Sequence, residues 1–337
     1  MTRFHASTPL KAAGLLAMFF IFIMAALCSI TFGQIPTSFQ MVYDALFHYD
    51  QNVTEHIIIT TTRVSRTVIA AVIGASLAIA GALMQALTRN PLAAPDIFGI
   101  NAGAIFFIVF SATFFSVDSL VHYMWIAFLG AGVAGVFVYF LGSMGKDGLS
   151  PIKIVLAGAA ITAFFVSFTQ GLLVIDEQSI QTVLFWLAGS VAGRDMEMLL
   201  PVLPFMIIAV LIALFLGRAI NILLSGEDVA KSLGQRTVLM KLLIGIVVVF
   251  LAGGSVAVAG SIGFIGLIVP HMVRGLIGTD YRWVIPYSAL TGASLLLLAD
   301  VAARFVIMPH EMPIGAMTAL LGTPFFIHIA RKGVAAK

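Results

Sequence analysis

Charge is scarce in this sequence. Only 10% of its 337 residues are Asp, Glu, Lys or Arg, and 61% are hydrophobic. A soluble domain carries about 25% charged residues, so this chain has too little polar surface to meet water on all sides. It reads as an integral membrane protein. Cysteine is nearly missing as well: Cys28 stands alone, so no disulfide can form within the chain and redox compartment stays open. The net charge of +3 is too small to point to nucleic acid.

The marks of an enzyme are missing too. GSMGKDG at 142–148 has a Gly-Lys pair but lacks the earlier glycine and the Ser/Thr of a phosphate-binding loop. HEMP at 310–313 is not H-E-x-x-H, because Ile314 stands where the second histidine belongs. His271 and His328 are isolated, and no base accompanies the serine of GASL at 74–77. No catalytic residue, metal ligand or cofactor is expected. Ion-driven carriers place ionisable groups at mid-membrane depth, and the middles of the apolar runs carry none. Asp300 and Arg304 approach one end of a run. The only internal echo, GASL at 74–77 and 292–295, is too short to indicate a repeat.

What is present is a series of long apolar runs. A spanning helix needs roughly 20 apolar residues. Spans fall near 12–32, 64–87, 97–115, 123–142, 152–174, 199–219, 239–258, 262–273, 284–303 and 313–330. The first follows Arg3 and Lys11 but is too long for a signal peptide and reads as a retained helix. The eighth is short for a full crossing. Runs of this length without alternation indicate helices rather than barrel strands. The fold class is therefore all-α: a polytopic transmembrane bundle of about ten helices in one domain over 1–337.

Placing the N-terminus inside puts 14 of the 18 Lys and Arg on the inner side, as the positive-inside rule requires. Lys146, Lys153, Lys332 and Lys337 are among them. The exceptions are Arg63, Arg66, Arg194 and Arg304. In the second run, Ala70, Gly74, Ala78, Ala82 and Ala86 recur every four residues, a stripe that lets helices approach closely in lipid. The inner loop TRNPLAAPD, 88–96, cannot be a continuous helix because of Pro91 and Pro95. It reads as a rigid turn at the inner membrane face. The inner segment 220–238 holds SGEDVAKSLGQ at 225–235. Ser225 is the expected N-cap, Glu227 and Asp228 fill the first turn, and Gly234 ends the helix. Val229, Ala230 and Leu233 are expected to face a partner protein, since the cationic content is low for a lipid-bound helix.

These motifs carry a resemblance. RVSRTVIAAVIGASLAIAGALMQALTRNPLAAPDIFGINAGA (63–104), GSIGFIGLIVPHMVRGLIGTDYRWVIPYSALTGASLLLLADVAAR (260–304) and EMPIGAMTALLGTPFFIHIARKG (311–333) are similar to the signatures of FecCD-type ABC importer permeases for iron-siderophores, haem and vitamin B12. With GEDVAKSLG the resemblance covers nearly the whole chain. Ser65 departs from the family's usual proline. The resemblance implies a type II ABC importer permease-like subunit, non-enzymatic, working with a second permease, identical or similar. Cytoplasmic ATPase subunits and an extracytoplasmic substrate-binding protein complete the machine in a bacterial cytoplasmic membrane, with both termini cytoplasmic. A ferric siderophore is the implied cargo; vitamin B12 or haem is the alternative, and a secondary carrier or channel the remote one. The resemblance further implies that Arg63, Arg66 and Arg304 dock the binding protein as an exposed fork. Asn90 and Leu92 fall at the inner gate, with 150–153 as a second gate position. Gly226, Glu227, Asp228, Ala230, Leu233 and Gly234 belong to the ATPase coupling helix.

Overall fold

The computed structural model describes residues 8–35, 37–115, 117, 119–144, 150–175, 184 and 186–335. Arg3, Lys146 and Lys337 of the charge count, and the 145–148 part of GSMGKDG, lie outside the described residues, as do the side chains of His328 and Lys332. Every regular element among the described residues is helical. The helices are α1 (Thr8–Thr31), α2 (Phe39–Phe47), α3 (Thr54–Thr88), α4 (Ile100–Phe114), α5 (Leu120–Ser143), α6 (Pro151–Ile175), α7 (Leu203–Leu224), α8 (Glu227–Ser232), α9 (Thr237–Ala259), α10 (Ile265–Ile277), α11 (Tyr281–Ala303) and α12 (Ile314–Ala335). Seven of them are long and apolar enough to cross a membrane, and α4, α10 and α12 are shorter apolar helices. Together they match the ten expected runs in order and position.

α3 is the central post. It packs on α11, α9 and α10, and the stripe Ala70, Gly74, Ala78, Ala82, Ala86 is buried throughout. Without side-chain bulk on the stripe, backbones can touch. At the α3–α11 crossing a Cβ on Gly74 would run into the Gly292 carbonyl, and a Cβ on Gly292 into the Gly74 carbonyl. The two GASL segments thus meet glycine to glycine across one crossing.

The loop after α3 departs from expectation. It does not stay at the membrane face but turns back into the bundle. A Cβ on Gly266 would lie 2.8 Å from Pro95 and 2.9 Å from the Leu77 carbonyl oxygen. Leu77 is 11 residues before the end of α3 at Thr88, which is about 16 Å at 1.5 Å per residue. From a second helix, a Cβ on Gly158 would overlap the Ile97 carbonyl, and Gly158 is seven residues into α6, about 10 Å from its start. A 3₁₀ turn, Pro95–Phe98, closed by Gly99 at φ 64°, sits at this depth. This accounts for the 15-residue length of α4: the helix starts well inside the bundle, with the re-entrant loop taking the remaining depth.

Polar contacts collect at opposite ends of the bundle. One end holds α8, the start of α11 and the start of α1, where the Tyr287 hydroxyl donates to the Lys11 carbonyl at 2.6 Å. The other end holds Arg63, Arg66, Asp300 and Arg304.

Gly292→Ala should therefore destabilise the protein by roughly 1–3 kcal/mol through overpacking. The matched control is Gly132→Ala, where an added Cβ meets nothing within 4 Å. Thermal unfolding of the two variants in detergent checks this; equal midpoints would remove the close crossing from the account of stability.

Candidate functional site

At the arginine end the hub is Asp300, which is fully buried near the end of α11. The Arg66 guanidinium grips it in bidentate fashion, Nε at 2.9 Å from Oδ2 and Nη2 at 2.8 Å from Oδ1. Arg304, one turn on, donates Nε to the same carboxylate at 3.1 Å and also Nη2. The remaining Arg66 nitrogen, Nη1, reaches Glu311 at 2.7 Å. The last turn of a helix leaves carbonyls without intrahelical partners, and here arginines supply the donors. Arg304 Nη1 donates to the Ser29 and Phe32 carbonyls, each at 2.7 Å. Arg63 Nη1 donates to the carbonyls of Ile30 at 3.0 Å and Thr31 at 2.7 Å, and its Nη2 to that of Ile35. Cations at a helix C-terminus are also favoured by the helix dipole. The cluster staples α1, α3 and α11 together at one end.

This geometry corrects the reading of an exposed fork. Arg63, Arg66 and Arg304 are 5%, 9% and 2% exposed, and each spends its donors inside the chain. Arg63 and Arg66 do not share one acid either: Arg63 points at the end of α1 and Arg66 at Asp300. The π-helical stretch Ile58–Val64 carries Arg63 just before the regular helix resumes. Glu311, with its side chain 28% exposed, is the link between this knot and the surface. Arg194, the fourth arginine counted with them, stacks 4.5 Å over the Trp186 ring.

At the opposite end, α8 has the expected position, with Gly226 at φ 131° and Gly234 at φ 80° as its bounds. Ser225 is not the cap. It belongs to the last turn of the preceding segment and donates to the Asn221 carbonyl at 3.2 Å; Gly226 occupies the N-cap position. Glu227 pairs with the buried Lys241 at 2.8 Å and with Lys231 at 3.3 Å. The Lys241 hydrogen bond, before any other cause, holds the Glu227 carboxyl below its ordinary pKa. Val229 and Leu233 are 46% and 66% exposed, while Ala230 is fully buried. The face offered outward is therefore Val229 and Leu233 with Asp228; Ala230 faces the bundle, contrary to expectation. A clamp that the sequence reading missed lies beside it. Asn221 donates to Asp280 at 2.7 Å and accepts from the Tyr281 amide at 2.9 Å, joining α7 to α11. Hydrogen bonds from Arg282 and then Asn221 hold the Asp280 carboxyl down at about 2.

In the loop after α3, the Leu92 amide donates to Asn90 Oδ1 at 3.0 Å, so Asn90 shapes the turn. Leu92 is 37% exposed, and Asn90 is exposed beside it. Deeper in the same loop, Asp96 is exposed as well and accepts from Asn101, which also donates to Ser261 at 3.0 Å. At 150–153, the Lys153 ammonium donates to the Met144 carbonyl at 3.3 Å.

Comparison with known proteins supplies the context. Residues 21–332 match the FecCD transport family. The chain is 51% identical to the Probable siderophore transport system permease protein YfiZ of Bacillus subtilis (strain 168), covering 95% of this chain and 96% of that one. It is 45% identical to the Fe(3+)-citrate import system permease protein YfmD of the same organism, over 86% of this chain and 85% of the relative. Its fold is similar to a solved metal-chelate type ABC transporter in an inward-facing conformation, with a TM-score of 0.84 and 28% identity, covering 95% of this chain and 99% of that one.

Asp300→Asn removes the charge that two buried guanidinium groups share, and breaking a buried pair costs about 3–5 kcal/mol. Lys231→Ala, which breaks the exposed pair with Glu227, should change stability by no more than about 0.5 kcal/mol. Chemical or thermal unfolding of both variants in detergent measures the contrast; an Asp300→Asn protein as stable as the wild type would show that the knot is not a staple.

Proposed function

The chain belongs to the FecCD transport family, and from that premise we propose that it is the permease subunit of a binding-protein-dependent ABC importer for ferric siderophores. The observation that carries the reading is a match along nearly the whole chain to a siderophore permease at 51% identity. The chain is a multi-pass membrane protein and not an enzyme; ATP hydrolysis belongs to separate cytoplasmic subunits. A second permease forms the translocation path with it, and an extracytoplasmic binding protein delivers the cargo. The membrane is the bacterial cytoplasmic membrane. Both termini lie on the cytoplasmic side, a placement supported by 14 of 18 Lys and Arg falling on that side.

The coupling segment, Gly226 to Gly234, docks the ATPase. What supports this is an apolar pair, Val229 and Leu233, held outward on a short helix that Glu227, Lys241 and Gln235 fix to the bundle. Asn90 and Leu92 form the inner gate, supported by their exposure on a turn at the start of the re-entrant loop. Arg63, Arg66 and Arg304 serve docking of the binding protein at the outer end by holding its frame. Arg66 is the member whose partner, Glu311, is partly open to an incoming carboxylate.

Two outcomes test these roles. Leu233→Asp places a charge on the outward face of α8 and should release the ATPase, since an unpaired charge buried at an interface costs several kcal/mol. Copurification of the ATPase with this variant at the wild-type ratio would count against the coupling assignment. Ala230→Asp should instead unfold the segment, because that side chain faces the bundle. At the outer end, Glu311→Ala frees one donor of Arg66, and docking of the binding protein should tighten several-fold at low salt and converge with wild type as screening increases. Unaltered affinity would leave the arginines as internal staples alone.

A further inference from the structure

We propose that α2 is a membrane-surface helix. Its stripe of Phe39, Tyr43, Leu46 and Phe47 enters the outer leaflet at the boundary between headgroups and acyl chains, and so sets the height of the arginine end against the bilayer.

Height is the first observation. Lys11 marks one membrane surface, since its ammonium does not belong in hydrocarbon. Ile30 lies 19 residues further along α1, about 28 Å away, and so reaches the opposite surface of a core about 30 Å thick. Ile30 packs against Val42 and Ala45 of α2 and Ile59 of α3. α2 is therefore level with the last turn of α1 rather than standing clear of the membrane.

The second observation is how α2 divides around its axis. Counted at about 100° per residue, its side chains fall into three sectors. Met41, Val42 and Ala45 face the bundle, and Val42 and Ala45 are buried there. Leu46, Phe39, Tyr43 and Phe47 follow one another over the next arc, of about 100°, and all four are exposed and uncharged. Gln40, Asp44 and the capping His48 close the circle with polar groups. A helix on a soluble surface shows two faces, one apolar and one polar. A helix that leans on a bundle while lying in the membrane surface meets protein, lipid and water, and needs three. Aromatic side chains are the ones enriched at that level of a membrane.

The third observation is where α2 stands. α1 is the least buried of the seven long apolar helices, and its Leu16, Phe20, Ile23 and Leu27 form one exposed face, as a helix at the lipid perimeter should. The re-entrant turn Pro95–Phe98 and the stretch Gly260 to Phe264 before α10 put non-helical backbone inside the bundle. Such backbone at membrane depth is tolerated only against protein or water. The two stretches pack on α6 and α12 through Gly158 and Gly315, so the side of α6 and α12 is the one suited to a second subunit or an aqueous passage. α1 and α2 pack on α11, α3 and each other instead.

α2 has no Lys or Arg, so what it recognises is the acyl boundary and not anionic headgroups. Nor does it hang loosely. Arg63 donates to the Thr37 hydroxyl at 2.7 Å, and that hydroxyl donates to the Thr31 carbonyl at 2.8 Å. Ser38 then caps the helix, accepting from the Met41 amide at 3.1 Å. The seat of α2 in lipid is thereby transmitted to Arg63 and the start of α3.

The test is spin-label accessibility in a Cys28→Ser background, on the complete permease–ATPase assembly in nanodiscs of zwitterionic lipid. Labels are placed one at a time by Phe39→Cys, Gln40→Cys, Tyr43→Cys, Asp44→Cys and Phe47→Cys. Collision with oxygen, which concentrates in lipid, is compared with collision with a water-soluble nickel chelate. The ratio of oxygen to nickel should be several-fold higher at 39, 43 and 47 than at 40 and 44, and adding half anionic lipid or the binding protein should leave it unchanged at 39, 43 and 47. Equal ratios at all five sites would put the stripe in water and overturn the proposal. Shielding of 39, 43 and 47 from both reagents would assign the stripe to a subunit interface, and shielding only after the binding protein is added would assign it to that partner; either result overturns it. A contrast seen only with anionic lipid would overturn recognition of the acyl boundary.

Discussion

A buried carboxylate shared by two guanidinium groups fixes one end of this protein. Asp300 would be untenable alone in an apolar bundle, where an isolated charge costs far more than any single packing contact contributes. Arg66 and Arg304 make it tenable, and each is in turn made tenable by Asp300, Glu311 and the carbonyls ending α1. The dependence is mutual, so the cluster forms as a unit or not at all. Because its members come from α1, α3, α11 and the segment after α11, it selects one arrangement of those helices. Apolar packing in lipid specifies such an arrangement weakly, since lipid tails compete with side chains on nearly equal terms. The glycine crossing at Gly74 and Gly292 adds the shape constraint that the charges lack.

The sequence made the helices legible because the physics that selects them is local. Twenty apolar residues in a row have few alternatives in a bilayer, and the ten runs appear where expected. Counting Lys and Arg also placed Arg63, Arg66 and Arg304 at one end together with Asp300. What the count could not reveal is direction. Burial of those arginines depends on where α1 ends and on which acid stands 234 residues away from Arg66, and neither is a property of a window of sequence. The error on Ala230 is of the same kind: on a six-residue helix, periodicity leaves the inward face undetermined between adjacent positions.

The loop 88–96 misled for a different reason. Polar, proline-containing stretches between apolar runs normally mark a membrane surface, and hydropathy carries no signal for a chain that turns back inside. The one clue was the short apolar run after it. Once α4 is seen to span 15 residues, the missing depth has to be made up by something non-helical. The Pro95–Phe98 turn and the stretch before α10 supply it, tied together by Asn101, which donates to Asp96 and Ser261.

α11 unites these features. Its first residue is held to α7 by Asn221, next to the segment read as the ATPase contact. Its middle touches α3 through Gly292. Its far end carries Asp300 and the arginine knot. Each contact is directional, a clamp of hydrogen bonds or a backbone approach, and none relies on general hydrophobicity. Sliding α11 along its axis would break all three at once, and a tilt would also pull Arg304 and Tyr287 from the α1 carbonyls to which they donate. Two of the three contacts are made with α3, so the two helices hold each other in register. The loop after α3 hangs from the same post, packed by Pro95 against Gly266 and by Ile97 against Gly158.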